Sequence, residues 1–137
     1  MNIFFTGSIR GGRAHQPKHA FIVRALEKYG TVLSPTAYLD TLSEYGETEL
    51  PREEIFKRER DALLKSDVVV AEVTTPSLGV GYLIACATTL QKRVLALYYG
   101  ENTFKLSAMI KGDPMVEVHT YKTEEDIEKI LGTIKTA

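Results

Sequence analysis

Apolar runs of strand length alternate along this chain with segments whose apolar residues return every three or four positions. This alternation predicts βα units wound around a parallel sheet. Residues 2–5 read as a first strand, ending at the turn Thr6-Gly7-Ser8-Ile9-Arg10-Gly11-Gly12-Arg13. Ile22, Ala25, Leu26 and Tyr29 then recur at i, i+3, i+4 and i+7, a helical stripe stopped by Gly30. Residues 31–33 form a short second strand, while the polar stretch 34–50 carries no period that assigns it. Pro51 suits a first helical turn and Glu53 and Glu54 favour the positive end of a helix dipole, so a helix is expected to about residue 64. Its apolar stripe would be Ile55, Phe56, Ala62 and Leu63.

Residues 68–73 are nearly continuous in β-branched side chains, as expected of a central strand covered on both faces. The turn Thr74-Thr75-Pro76-Ser77-Leu78-Gly79-Val80-Gly81 leads into a helix over roughly 82–90, and residues 94–99 supply another strand. A short helical turn is expected at 106–110 and a last strand at 115–121. Thr123 and Asp126 resemble a capping box, opening an amphipathic helix that carries Ile127, Ile130, Leu131 and Ile134. Right-handed crossovers then make one α/β domain over residues 1–137, doubly wound and Rossmann-like (flavodoxin-like), with a five-stranded parallel sheet flanked by helices.

The 44% hydrophobic content of 137 residues suffices for one core. A formal net charge of −1 supplies no field to hold a nucleic-acid polymer or an acidic membrane. No run approaches the roughly 18 apolar residues that a bilayer span needs, and the N-terminus lacks a basic leader before an apolar stretch. A cytoplasmic protein without membrane association is expected. Cys86 stands alone and reads as a small buried hydrophobe; His15, His19 and His119 are too scattered for a metal site. Neither metal nor cofactor is expected.

In an open parallel sheet, ligands sit beyond the carboxyl ends of the strands, against βα turns and helix N-termini. The first such turn joins glycines for close backbone approach to the hydroxyl of Ser8 and the guanidinium groups of Arg10 and Arg13, a set suited to a phosphate dianion. Ser77, in the turn after the third strand, adds a hydroxyl near the same edge.

Five blocks, in order, now carry a resemblance covering nearly the whole chain: Phe5-Thr6-Gly7-Ser8-Ile9-Arg10-Gly11-Gly12-Arg13, Gly30-Thr31-Val32-Leu33, Asp67-Val68-Val69-Val70-Ala71-Glu72-Val73-Thr74, Pro76-Ser77-Leu78-Gly79-Val80-Gly81-Tyr82 and Leu106-Ser107-Ala108-Met109-Ile110. The chain resembles the 2′-deoxynucleoside 5′-phosphate N-hydrolases of the nucleoside 2-deoxyribosyltransferase superfamily. Those enzymes split the N-glycosidic bond of deoxynucleoside monophosphates into free base and deoxyribose 5-phosphate. The resemblance implies a substrate-binding set of Gly7, Ser8, Ile9, Arg10, Gly11, Ser77, Gly79, Ser107 and Met109. It also implies a homodimer in which Ser107 and Met109 reach the neighbouring subunit's site.

The catalytic positions depart from the family's pattern. Leu83 stands where the family carries the Glu nucleophile that captures the anomeric carbon, and an aliphatic side chain forms no ester intermediate. Phe4 replaces a Tyr that assists catalysis, and Ser34-Pro35-Thr36 replaces a frequent Thr-Glu-His. Glu59 keeps a carboxylate where the family has Asp, four residues from both Ile55 and Leu63, which makes it the leading candidate for general-base work; Glu72 is the weaker one. A nucleoside 5′-monophosphate ligand is therefore expected. The protein would be an N-glycosidase working through a rearranged carboxylate, a catalytically inactive sensor, or a structural subunit that pairs with an active paralogue.

Overall fold

The computed structural model describes residues 1–8, 16–33 and 50–136. Its elements run β1 (Asn2–Gly7), α1 (Gln16–Leu26), β2 (Thr31–Val32), α2 (Arg52–Lys65), β3 (Val68–Glu72), α3 (Leu78–Thr89), β4 (Arg93–Tyr99), α4 (Ala108–Lys111), β5 (Val116–Tyr121) and α5 (Glu124–Gly132), closed by a 3-10 turn at Thr133–Thr136. The sheet is wholly parallel in the order β2-β1-β3-β4-β5. This is the flavodoxin-like winding expected from the sequence, with the order reversing between β1 and β3.

Alternation along the strands sorts the core into two layers. Ile3, Phe5, Val68, Val70, Leu95, Leu97 and Tyr121 pack with Ile22, Leu26, Ile127 and Leu131, so α1 and α5 cover one face. Phe4, Val69, Ala71, Val94 and Ala96 pack with Leu63, Val80, Ile84, Ala87 and Leu106 on the other face, under α2, α3 and the segment leading to α4. The central strand β3 is buried along its whole length.

Several boundaries fall where local chemistry puts them. Pro51 lies just outside α2, its carbonyl accepting from the N–H groups of Glu54 and Ile55 at 3.1 Å. Of the expected α2 stripe only Leu63 is buried, while Phe56 is 53% exposed, its ring edge-on to Tyr82 on α3. Helix α3 starts at Leu78, one turn ahead of the expected start near residue 82, because Ser77 already caps it. Beyond its end Gln91 takes the left-handed backbone (φ 57), with Gln91 N–H donating to Thr88 O and Lys92 N–H to Ala87 O, a Schellman ending built on a residue with a Cβ. Gly30 is required by close approach: a Cβ there would lie 2.2 Å from the Met1 carbonyl oxygen. At the chain's end Thr123 and Asp126 form the expected reciprocal capping box.

Candidate functional site

The reversal of strand order sets the carboxyl ends of β1 and β3 side by side, with Gly7 paired to Glu72 in register. A crevice at this point is where open α/β sheets hold ligands. Ser8 leaves the end of β1 and is buried. Ile9, Arg10 and Gly11, with Arg13 and the 34–36 segment, lie outside the described residues. Gly7 has a structural reason of its own: a Cβ there would sit 2.9 Å from Cε1 of the buried His19 imidazole, which also packs edge-on against Phe5. An added Cβ would therefore force the imidazole on α1 to shift, a constraint that is independent of any ligand.

The second turn, residues 73–77, carries β3 into α3. Ser77 is the N-cap of α3, its Oγ accepting from Val80 N–H at 3.3 Å. Ser107 does the same for α4, accepting from Met109 N–H at 3.2 Å. Each hydroxyl keeps its own proton to donate outward, so capping and ligand binding are compatible at one atom. The two caps face a common cleft of about 800 Å³, lined among others by Thr74, Ser77, Tyr82, Lys105, Ser107 and Met109. Gly79 follows in the first turn of α3, where an added Cβ would meet Ser77 Oγ at an unstrained 3.9 Å. The resemblance groups Ser77 with Ser8 and has Ser107 and Met109 come from a neighbouring subunit; within one chain the fold brings Ser77, Ser107 and Met109 to one concavity, which Ser8 does not line.

The candidate catalytic positions lie on the α2–α3 side of the sheet. Phe4 is fully buried among Leu63, Val69 and Ile84, an apolar environment in which a phenol would need a partner for its hydroxyl. Leu83 is half-buried on α3 and packs against the same cluster together with Ala62 of α2. Glu59, one turn ahead of Leu63, has a side chain 17% exposed and accepts from Arg58 Nη2 at 2.9 Å. It is ion-paired and part-buried, and it does not line the cleft between α3 and α4.

Glu72 belongs to the opposite face. It is 1% exposed, on the α1–α5 side, where Oε2 accepts from the Tyr121 hydroxyl and Oε1 accepts from Thr74 N–H at 2.6 Å. Burial, followed by the adjacent carboxylate, pushes the Tyr121 phenol far above its ordinary value, which keeps it a donor. Sequence spacing gave no sign of this pair, since the partners are 49 positions apart. Among the described residues no group of three or more His, Cys, Asp or Glu is placed to hold a metal ion, and no helix is long and apolar enough to cross a membrane.

Comparison with known proteins adds the following. No sequence-family model matches the chain. It is 45% identical over 134 residues to the 5-hydroxymethyl-dUMP N-hydrolase of Danio rerio, covering 96% of this chain and 93% of that protein. Against the mouse (Mus musculus) 5-hydroxymethyl-dUMP N-hydrolase it is 42% identical over 135 residues, covering 95% of this chain and 77% of the relative. A Methanosarcina mazei protein, provisionally named 2′-deoxynucleoside 5′-phosphate N-hydrolase 1, is 37% identical over 132 residues, covering 95% and 81% of the two chains. The fold is shared with a CMP N-glycosidase of Clostridium botulinum, at a TM-score of 0.67 and 18% identity over 98% of this chain and 99% of the other.

Proposed function

Because the chain belongs to the 2′-deoxynucleoside 5′-phosphate N-hydrolase family, we propose that it binds a nucleoside 5′-monophosphate by its phosphate at the carboxyl edge of β1 and β3. Gly7, Ser8, Ile9, Arg10 and Gly11 would form the first phosphate-facing turn, with Ser77 and Gly79 forming the second. The observation that carries this reading is the pairing of Gly7 with Glu72, which sets the end of β1 that leads into Ser8 beside the end of β3, five residues before the Ser77 cap of α3. Hydroxyl donors and a helix N-terminus suit a dianion, and a guanidinium at Arg10 would complete the set.

The proposal assigns binding ahead of turnover. Leu83 offers no atom to capture an anomeric carbon and Phe4 no hydroxyl, and loss of a covalent nucleophile costs several powers of ten in rate. On this reading the protein acts in the cytoplasm as a nucleotide sensor, or as the structural partner of an active paralogue. One observation favours surviving hydrolysis: Glu59, paired with Arg58, is a part-buried carboxylate on the same side of the sheet as Phe4 and Leu83, where a base that activates water would be placed. A homodimer is part of the proposal. Leu78, Tyr82, Phe104 and Met109 are 97%, 55%, 89% and 82% exposed around the α3–α4 cleft, a surface that a second copy would cover while Ser107 and Met109 reach its site.

Two measurements test this reading. Nucleoside 5′-monophosphates should raise the melting temperature and Arg10→Ala should abolish the rise; no stabilisation by any of them defeats the ligand assignment. Chromatography of each monophosphate after incubation should show no free base, whereas Leu83→Glu should release it. Base formed by the natural chain and lost in Glu59→Gln would establish the hydrolytic reading instead.

A further inference from the structure

We infer that Glu72, acting with Tyr121, is a positioning residue that sets the β3–α3 turn and through it the placement of Ser77. The geometry stands on its own; the identity of the ligand rests on the function proposed above. Glu72 is one of the most buried polar side chains among the described residues, at 1% exposure. A carboxylate in that position is costly unless its oxygens are taken up. Both are: Oε1 accepts from Thr74 N–H at 2.6 Å, and Oε2 from the hydroxyl of Tyr121 at the end of β5. Strand β4 lies between β3 and β5, so this one side chain ties the turn to a strand two places away.

Thr74 is fixed a second time, its Oγ1 accepting from Tyr99 N–H at 2.9 Å. The ring of Tyr99 meets that of Tyr121 edge-on, with centroids 5.6 Å apart. The first residue of the turn beyond Val73 is therefore held through both its amide and its hydroxyl, three positions before the Ser77 cap that faces the cleft. Glu72 itself sits on the α1–α5 side of the sheet, away from that cleft, so it acts through Thr74 and not on the ligand.

Stability alone gives a weak reason for a charge here, since well-packed apolar residues replace buried ionic groups at little or no loss. What the carboxylate adds is direction. Hydrogen bonds to an ionised acceptor are roughly twice as strong as neutral ones, and they hold a turn in one conformation. That is useful where a serine and the helix amides beside it must be ready before an anion arrives.

Tyr121→Phe removes one donor and leaves the ring packing in place. Amide hydrogen exchange on the ligand-free variant should show faster exchange at residues 74–80 and at Tyr99, with the amides of residues 94–97 unchanged. Calorimetry with 2′-deoxyuridine 5′-monophosphate and with 2′-deoxyuridine should then show the monophosphate bound roughly tenfold more weakly and the nucleoside unaffected. Glu72→Gln, which still offers Thr74 N–H an oxygen but a neutral one, should keep only part of the protection that Glu72→Ala loses. Turn amides exchanging at the natural rate in Tyr121→Phe, or equal weakening of both ligands, would overturn the inference. A natural protein that ignores both ligands would defeat the proposed function and leave the exchange result to decide the positioning role.

Discussion

Ser77 and Ser107 each do two jobs with a single oxygen atom, since each caps a helix and lines the cleft. An alanine at either place removes a cap, so lost binding would be confounded with lost stability of about 1 kcal/mol. Aspartate separates the two roles at Ser77. It caps as well as serine and suits the positive end of α3, but its charge repels a phosphate. Ser77→Asp should therefore melt at or above the natural temperature, while monophosphates no longer raise it; a preserved ligand-induced rise would remove Ser77 from the phosphate site. Ser77 is legible in the sequence as a hydroxyl at the ligand edge of the sheet, whereas Ser107 and Met109 are singled out by the family resemblance alone. Their convergence depends on where α4 packs, which no local pattern encodes. Gly7 was legible as a glycine that something must approach closely, but the approach that is seen comes from His19 inside the chain.

At the scale of elements, the strands and the closing helix are legible to within a residue or two, because β-branched runs and the Thr123–Asp126 box are local signals. Helix α3 begins a turn earlier than the sequence suggests, since Gly79 and Gly81 look like turn residues although they follow a competent serine cap. The exposed Phe56 shows the limit of periodicity on α2, whose pattern marks a face without showing how much of it the neighbouring layer covers. The end of α3 offers a direct test of backbone strain. Gln91 occupies the left-handed position of a Schellman ending, where glycine avoids a penalty of about 1 kcal/mol. Gln91→Gly should raise the unfolding free energy by about that amount in urea titration, with the slope unchanged.

At the scale of the whole molecule, Arg93 ties the β4–β5 edge to the closing turn of the chain. Its guanidinium grips Glu117 at 2.7 and 3.1 Å and donates to Thr133 O at 3.0 Å, so the closing 3-10 turn is tied to the sheet. The hydrogen bond from Arg93 holds the Glu117 carboxyl below its ordinary range. A depressed carboxyl contributes stability above the ordinary carboxylate range, and that contribution is lost as pH falls through the depressed value. Glu117 is 42% exposed, so the effect is small. In thermal melts Glu117→Gln should fall below the natural protein at neutral pH, and the gap should close on acidification below the carboxylate range. A gap that persists in acid would mean that packing, and not charge, holds this edge.

The α3–α4 side presents Leu78, Tyr82, Phe104 and Met109 to water. If a second copy covers that side, heat resistance becomes a question of mass action: the melting temperature should climb with protein concentration and sag on dilution, as it does for any fold completed by association. A melting temperature indifferent to dilution across the micromolar range would mean that each chain withstands heat alone.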